Sequence, residues 1–251
     1  MFAQERQDRI VRGLARQRRC SVETLQRELG VSRSTLQRDL RDLEERGEVV
    51  RVHGGVVHPQ FVGGESTLGR RRSEHVAAKR RIAEAAAALV PANAAVFLDA
   101  GSTCLELALH LLPRDDVKLF THSVPLLHAA LERGSNASVT ALGGELRAVS
   151  GALVGALAER WLGGLRFDVA FLGGSGLDAE HGVSTTEIHE AGVKTALLSR
   201  TRRPMLVCDA SKCDAPAAVS FTAWDALDTW VVDRRPPGGF RRVGCTVRVA
   251  R

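Results

Sequence analysis

Apolar residues recur at three- and four-residue steps at Ile10, Val11 and Leu14, at Leu25 and Leu29, and at Leu36, Leu40 and Leu43. This period predicts three short amphipathic helices. Ser21 stands as an N-cap before the second, Gly30 closes it and Ser32 opens the third, leaving a turn around Gly30-Val31-Ser32 with helix-turn-helix spacing. After Gly47 the run EVVRVHGGVVH carries two β-branched stretches joined by Gly54-Gly55, the signal of a tight hairpin. Three helices followed by a hairpin predict a winged helix over residues 1–58.

Further along the pattern changes. From His58 to Ser73 no period is sustained, and residues 59–74 read as a linker. An Ala-rich helix from Glu74 to Leu89, with Val76, Ile82 and Ala86 inward and Lys79-Arg80-Arg81 at the surface, then leads into a larger domain over residues 75–233. There short apolar runs alternate with helical stretches: AAVFL (94–98) before a helix near 103–112, VKLFT (117–121) before 124–133, and SVTAL (138–142) before 151–162. DVAFL (168–172) precedes a helix near 187–201, and PMLVC (204–208) and DTWVV (228–232) follow. Such alternation predicts an α/β fold with a largely parallel sheet. Residues 234–251 form an extension with no assigned role.

Charge sharpens this division. Residues 1–82 hold 18 Arg and Lys against 11 Asp and Glu, a balance of +7, whereas residues 83–251 balance at −1. A polyanion is therefore an expected partner for the N-terminal part. Arginine outnumbers lysine 31 to 4, and aromatics make up 4% with no Tyr, which disfavours single-strand binding on aromatic platforms. Five scattered cysteines, Cys20, Cys104, Cys208, Cys213 and Cys245, fit neither a disulfide framework nor a zinc pattern. The charged start MFAQERQDRI lacks the apolar stretch of a signal peptide, and the longest apolar run, Ala85 to Val90, is far below a membrane span. A cytoplasmic protein without a membrane partner is expected.

With Leu36, Leu40 and Leu43 inward, Ser34, Gln37, Arg38 and Arg41 form an outward stripe on the third helix. In a major groove, Gln37 could meet an adenine edge and Arg38 a guanine edge or phosphate, with Ser32, Arg33 and Thr35 near backbone oxygens. Arg51 and His53 would ride on the wing. The competing reading is a solvated helix face, flanked by Asp39, Asp42 and Glu45.

In the larger domain, small and polar residues fall after the predicted strands, where ligands of such sheets bind. Asp99-Ala100-Gly101-Ser102-Thr103 opens a helix, so backbone N–H groups and two hydroxyls can surround an anion. Thr121-His122-Ser123, Gly143-Gly144, Gly173-Gly174-Ser175-Gly176-Leu177-Asp178 and Asp209-Ala210-Ser211-Lys212 converge with it. Lys194 and Lys212 are candidate charge partners for a phosphate, with a surface salt bridge as the alternative. GGSGLDA completes neither a dinucleotide nor a hydrolase motif, and His189-Glu190 lacks the second histidine of a zinc helix. No metal or cofactor is expected.

These residues carry a resemblance. Val31–Gly55, VSRSTLQRDLRDLEERGEVVRVHGG, resembles the DNA-binding signature of the DeoR family of bacterial transcriptional regulators, apart from Gln37, where that family usually has a basic residue. The patterns DAGST, LGG, FLGGSGLD, EAGVK and DASK resemble the same family's sensor domain, which looks like the ribose-5-phosphate isomerase and sugar-phosphate deaminase type of fold; the family commonly has Asn where His122 stands. The likeness implies a repressor of carbohydrate catabolism genes that binds double-stranded operator DNA as a homo-oligomer, dimer or tetramer, and responds to a phosphorylated sugar. It implies that Asp99, Gly101, Ser102 and Thr103 cradle the phosphate. Asp178 and Glu187 would meet sugar hydroxyls, Ser123 and Gly174 would line the pocket, and Lys194 and Lys212 would close it. The rival is a sugar-phosphate isomerase or deaminase with an accessory DNA-binding head, using Asp99, Asp178 and Glu187 as general bases. A protein coating DNA without sequence preference is a third alternative.

Overall fold

The computed structural model describes residues 3–17, 19–52, 55–57 and 66–250, which divide into two compact units, Met1–Glu74 and His75–Arg251. In the first, α1 (Ala3–Gln17), α2 (Val22–Leu29) and α3 (Arg33–Glu45) bury Ile10, Leu14, Leu25, Leu29, Leu36, Leu40 and Leu43 in one core. The turn chemistry acts as its residues dictate. Ser21 Oγ accepts from Thr24 N at 3.0 Å, Ser32 Oγ accepts from Thr35 N at 3.2 Å, and Gly30 ends α2 in the left-handed region at φ 63°, where the absence of Cβ removes the strain.

Strands β2 (Val50–Val52) and β3 (Gly55–Val57) form the hairpin, and its turn residues His53 and Gly54 lie outside the described residues. An unexpected strand, β1 (Arg19–Ser21), pairs antiparallel with β3 and completes the three-stranded sheet β1-β3-β2 of a winged helix. A Cβ on Gly55 would sit 2.7 Å from the Cys20 carbonyl oxygen, so glycine permits that close pairing. Within the expected linker, Thr67 caps a further helix, α4 (Leu68–Ser73), in the same unit as the winged helix. Gly47 accommodates it, since a Cβ there would lie 2.7 Å from Arg70 Cα.

The second unit begins with α5 (Val76–Ala87), on which Lys79 is buried and not at the surface as expected. Its sheet contains β4 (Ala95–Leu98), β5 (Lys118–Thr121), β6 (Ser138–Ala141), β9 (Phe167–Leu172), β12 (Thr201–Val207), β14 (Thr229–Val232) and β15 (Thr246–Val249). All seven are parallel, in the order β15-β14-β12-β9-β4-β5-β6. Residues 234–251 thus supply an edge strand as well as Phe240, buried against Trp224 and Trp230. The chain winds from β4 toward β6, then resumes at β9 on the other side of β4, so the strand order reverses between β4 and β9. Ligands of open α/β sheets bind beyond the carboxyl ends of strands at such a reversal.

Crossovers are formed by α6 (Ser102–Leu111), α7 (Val124–Arg133), α8 (Ala156–Gly163) and α9 (Ile188–Leu198). The segment expected to be helical from about 151 begins instead as a hairpin of β7 (Glu145–Arg147) and β8 (Ala152–Val154). A small antiparallel sheet, β10 (Gly176–Asp178), β11 (Gly182–Thr185) and β13 (Val219–Thr222), accompanies α9. No helix among the described residues is long and apolar enough to cross a membrane.

Candidate functional site

On α3, Ser32, Arg33, Ser34, Arg38 and Arg41 are exposed and Thr35 and Gln37 are half-buried. Asp39, expected on the solvated face, is only 3% exposed. It takes a bidentate pair from α1, with Arg6 Nε at 2.6 Å and Arg6 Nη2 at 2.9 Å. Gln7 Nε2 donates to Asp42 at 3.2 Å while its Oε1 accepts from Arg46 at 2.8 Å. These bonds fasten α3 to α1, and they leave the Arg38 and Arg41 side outward. Arg51, on β2, donates to Gln37 Oε1. His53 lies outside the described residues.

At the sheet reversal Asp99, which follows β4, is buried and surrounded by donors. Its Oδ2 accepts from Gly173 N after β9 at 2.8 Å and from Lys194 Nζ on α9, and its Oδ1 accepts from Ala100 N at 2.9 Å and faces His122 Nε2 at 2.9 Å. Lys194 also donates to the Gly173 carbonyl at 3.1 Å, and His122 Nδ1 lies 2.9 Å from the Leu153 carbonyl. Burial alone would raise the Asp99 carboxyl, but the Lys194 charge and the His122 contact outweigh it and hold the group below the usual carboxylate range. Burial likewise opposes the Lys194 ammonium, and Asp99 and Glu190 overcome it. Asp99 is thus consumed by an internal pair and does not present its carboxylate to a phosphate.

Beside this cluster is the start of α6, part-exposed at Gly101. Gly101 accepts the first helical bond, from Leu105 N at 2.9 Å, so the N–H groups of Ser102, Thr103 and Cys104 precede the helical ladder. Ser102 and Thr103 are each 8% exposed, and a Cβ on Gly101 would meet nothing within 4 Å. Ser123 caps α7, and Gly174 lies close enough to Val183 that a Cβ would reach within 2.7 Å of its Cγ1.

Two predicted contacts are engaged elsewhere. Asp178 Oδ1 accepts from Glu180 N at 2.9 Å and His181 N at 2.8 Å and meets His181 Nδ1 at 3.0 Å, so it fastens the β10–β11 turn. Those donors lower its pKa. Glu187 caps α9 through Glu190 N at 2.9 Å and lies 3.8 Å from Arg147 Nε. Lys212 is half-buried on a 3₁₀ turn, Ala210–Lys212, with no ion pair among the described residues.

Both units match known family models: residues 6–60 the DeoR-like helix-turn-helix domain, and residues 74–234 the DeoR C terminal sensor domain. The chain belongs to the DeoR family. This DeoR-family protein, a DNA-binding transcriptional regulator, is 36% identical over 233 residues to the HTH-type transcriptional regulator GlpR of Haloferax volcanii, covering 93% of this chain and 91% of that one. It is 28% identical to the glycerol-3-phosphate regulon repressor of Escherichia coli K12, over 93% of this chain and 92% of that one. Ribose 5-phosphate isomerase A from Methanocaldococcus jannaschii matches with a TM-score of 0.39 and 16% identity, over 54% of this chain and 53% of that one.

Sequence reasoning passed over Arg147 in this regulator. It is on β7, where its Nη1 lies 3.1 Å from Glu190 Oε1, and Thr185 Oγ1 donates to Glu190 Oε2 at 3.1 Å. Glu190 and Lys194, four residues apart, share one face of α9, so the hairpin, the small sheet and Asp99 are linked along a single helix. No motif announces Arg147, because the carboxylates it meets, Glu187 and Glu190, lie forty and 43 residues away. His122 did stand in a recognised loop, and its burial at 1% comes from packing that period alone does not reveal.

Proposed function

We propose that this regulator represses carbohydrate catabolism genes, and that a phosphorylated sugar bound at the carboxyl edge of the parallel sheet changes its affinity for operator DNA. The observation that carries the reading is the start of α6 at the sheet reversal, where Gly101 has space beside it. The N–H groups of the first helical turn, Ser102, Thr103 and the helix dipole favour an anion there, and Lys194 neutralises the buried Asp99 carboxylate beside it. Lys212, without an ion pair among the described residues, is the cation available to the phosphate. The names of the relatives, one a glycerol-3-phosphate regulon repressor, agree with this ligand class.

On the DNA side, Arg38 and Arg41 contact bases or phosphates, and Arg33, Ser34 and Thr35 meet the backbone at the start of α3. One such helix contacts too little DNA for tight binding, so the protein acts as a homo-oligomer on repeated half-sites about 10 bp apart or a multiple of this. A catalytic role is disfavoured because the three carboxylates that would act as bases are occupied: Asp99 in its ion pair, Asp178 in its turn and Glu187 in its helix cap.

Thermal unfolding of the full-length protein with sugar phosphates, the matching unphosphorylated sugars and inorganic phosphate tests the ligand class. A cognate sugar phosphate at about 100 times its Kd stabilises by roughly 2.7 kcal/mol, and Ser102→Arg removes that gain. Equal stabilisation by the unphosphorylated sugar, or an unaltered response in Ser102→Arg, contradicts the site.

A further inference from the structure

An apolar surface of the larger unit stands outside the site described above. Strands β7 and β8 pair with Leu146 opposite Leu153, and residues directly opposite share one face of the ladder. The other face packs inward, with Ala152 and Val154 buried and Arg147 reaching Glu190 on α9. Leu146 therefore points outward and is 57% exposed. On α8, Ala158 and Leu162 are buried, while Leu157 and Trp161, four residues apart on the adjoining face, are 56% and 57% exposed. The Gly143-Gly144 segment joins the two surfaces: a Cβ on Gly143 would lie 3.8 Å from Trp161 Nε1, and one on Gly144 would lie 3.1 Å from the Leu153 carbonyl carbon. Trp224 and Trp230, by contrast, are buried in the core.

An exposed tryptophan beside leucines has the composition of an interface centre, where aromatic anchors carry much of the binding energy. The charges around it select the occupant. Glu145 adjoins Leu146 and Arg160 adjoins Trp161; both are exposed, and neither has an ion pair among the described residues. In a two-fold contact residue i of one copy meets residue j of the other, and j meets i, so Glu145 of each copy can face Arg160 of the other. We propose that a second copy of this chain docks on this surface, with Leu146, Leu153, Leu157 and Trp161 at the centre and reciprocal contacts of Glu145 with Arg160 at the rim. The apolar side chains supply only part of the roughly 800 Å² per partner that a stable interface buries. The edge of the parallel sheet extends it: β6, which leads into Gly143-Gly144, pairs on one side only and exposes Ser138, Thr140 and Ala141, and such an edge offers unpaired N–H and C=O groups to a partner. The proposal rests on the reading of this regulator as a homo-oligomer, and it names the face through which the copies meet.

Sedimentation velocity of the full-length protein without DNA, over a range of concentrations, tests it. The wild type assembles, and Trp161→Glu raises the dissociation constant by roughly 30-fold or more, the loss expected of a central anchor, with an unchanged circular dichroism spectrum. Leu131→Glu, at a leucine 85% exposed on α7, assembles like the wild type. Glu145→Arg and Arg160→Glu each weaken assembly by about 10-fold, because each sets like charges together at both ends of the contact. Mixing these two variants restores it, since every facing pair then has opposite signs, a rescue that only a second copy of the chain can give. Equal assembly by the wild type and Trp161→Glu overturns the proposed face while leaving the homo-oligomer reading in place. A mixture of the charge variants that associates no more tightly than either alone overturns the two-fold contact. A wild type that stays monomeric at every concentration is a separate result, and it overturns the homo-oligomer reading itself.

Discussion

Two buried ion pairs, one in each unit, show how far single residues could be read. Asp39 falls in a polar stretch of the sequence, and its partner Arg6 is 33 residues earlier, so periodicity along α3 cannot distinguish it from the exposed Arg38. The polar identity of the position was legible; its burial, decided by α1, was not. Replacing Asp39 with Asn removes charge-assisted hydrogen bonds and is expected to cost about 1.5–3 kcal/mol, read as a lower denaturation midpoint for the DNA-binding unit. The Asp99–Lys194 pair has a pH signature. Because the folded carboxyl is held below its unfolded value of about 4, it contributes stability above that pH and loses it as acid titrates the folded group. The unfolding midpoint of the wild type should therefore fall more steeply below about pH 4 than that of Asp99→Asn. At neutral pH the variant, left with an unpaired buried ammonium, should be less stable by about 3–5 kcal/mol. An acid limb of equal slope in both proteins contradicts the pairing.

Among the elements, those with a strong period or a cap chemistry were legible: α2, α3, the strands β4, β5, β9, β12 and β14, and the helices that connect them. Those missed are short or depend on distant partners. Strand β1 has three residues and exists because β3 offers an open edge. Strand β15 has four, in a segment set apart by Pro236, Pro237 and two glycines, and it joins the sheet by pairing with β14. Helix α4 has six residues and no apolar period. The terminal segment is accordingly structural: Phe240, 1% exposed, fills the space beside Trp224 and Trp230. Phe240→Ala should lower the stability of the larger unit by about 3–5 kcal/mol, measured by urea unfolding. A loss within ±0.5 kcal/mol, the range of ordinary surface substitutions, would place this segment outside the core.

For the whole molecule, the separation of charge is plain in the order of residues alone: a basic first third and a nearly neutral remainder. Under the function proposed above that separation has a mechanism: the unit with α3 and its wing reads DNA, and the other senses a small phosphate. A ligand can shift DNA affinity only by as much as it prefers one state of the protein over the other, and the coupling is reciprocal. The most direct measurement is fluorescence anisotropy of the full-length protein on its own promoter DNA, titrated at fixed salt across a panel of sugar phosphates. One member of the panel is predicted to change the operator Kd by about 5- to 150-fold, with Ser102→Arg binding the same DNA but giving no response. An operator affinity that no sugar phosphate alters would contradict the account.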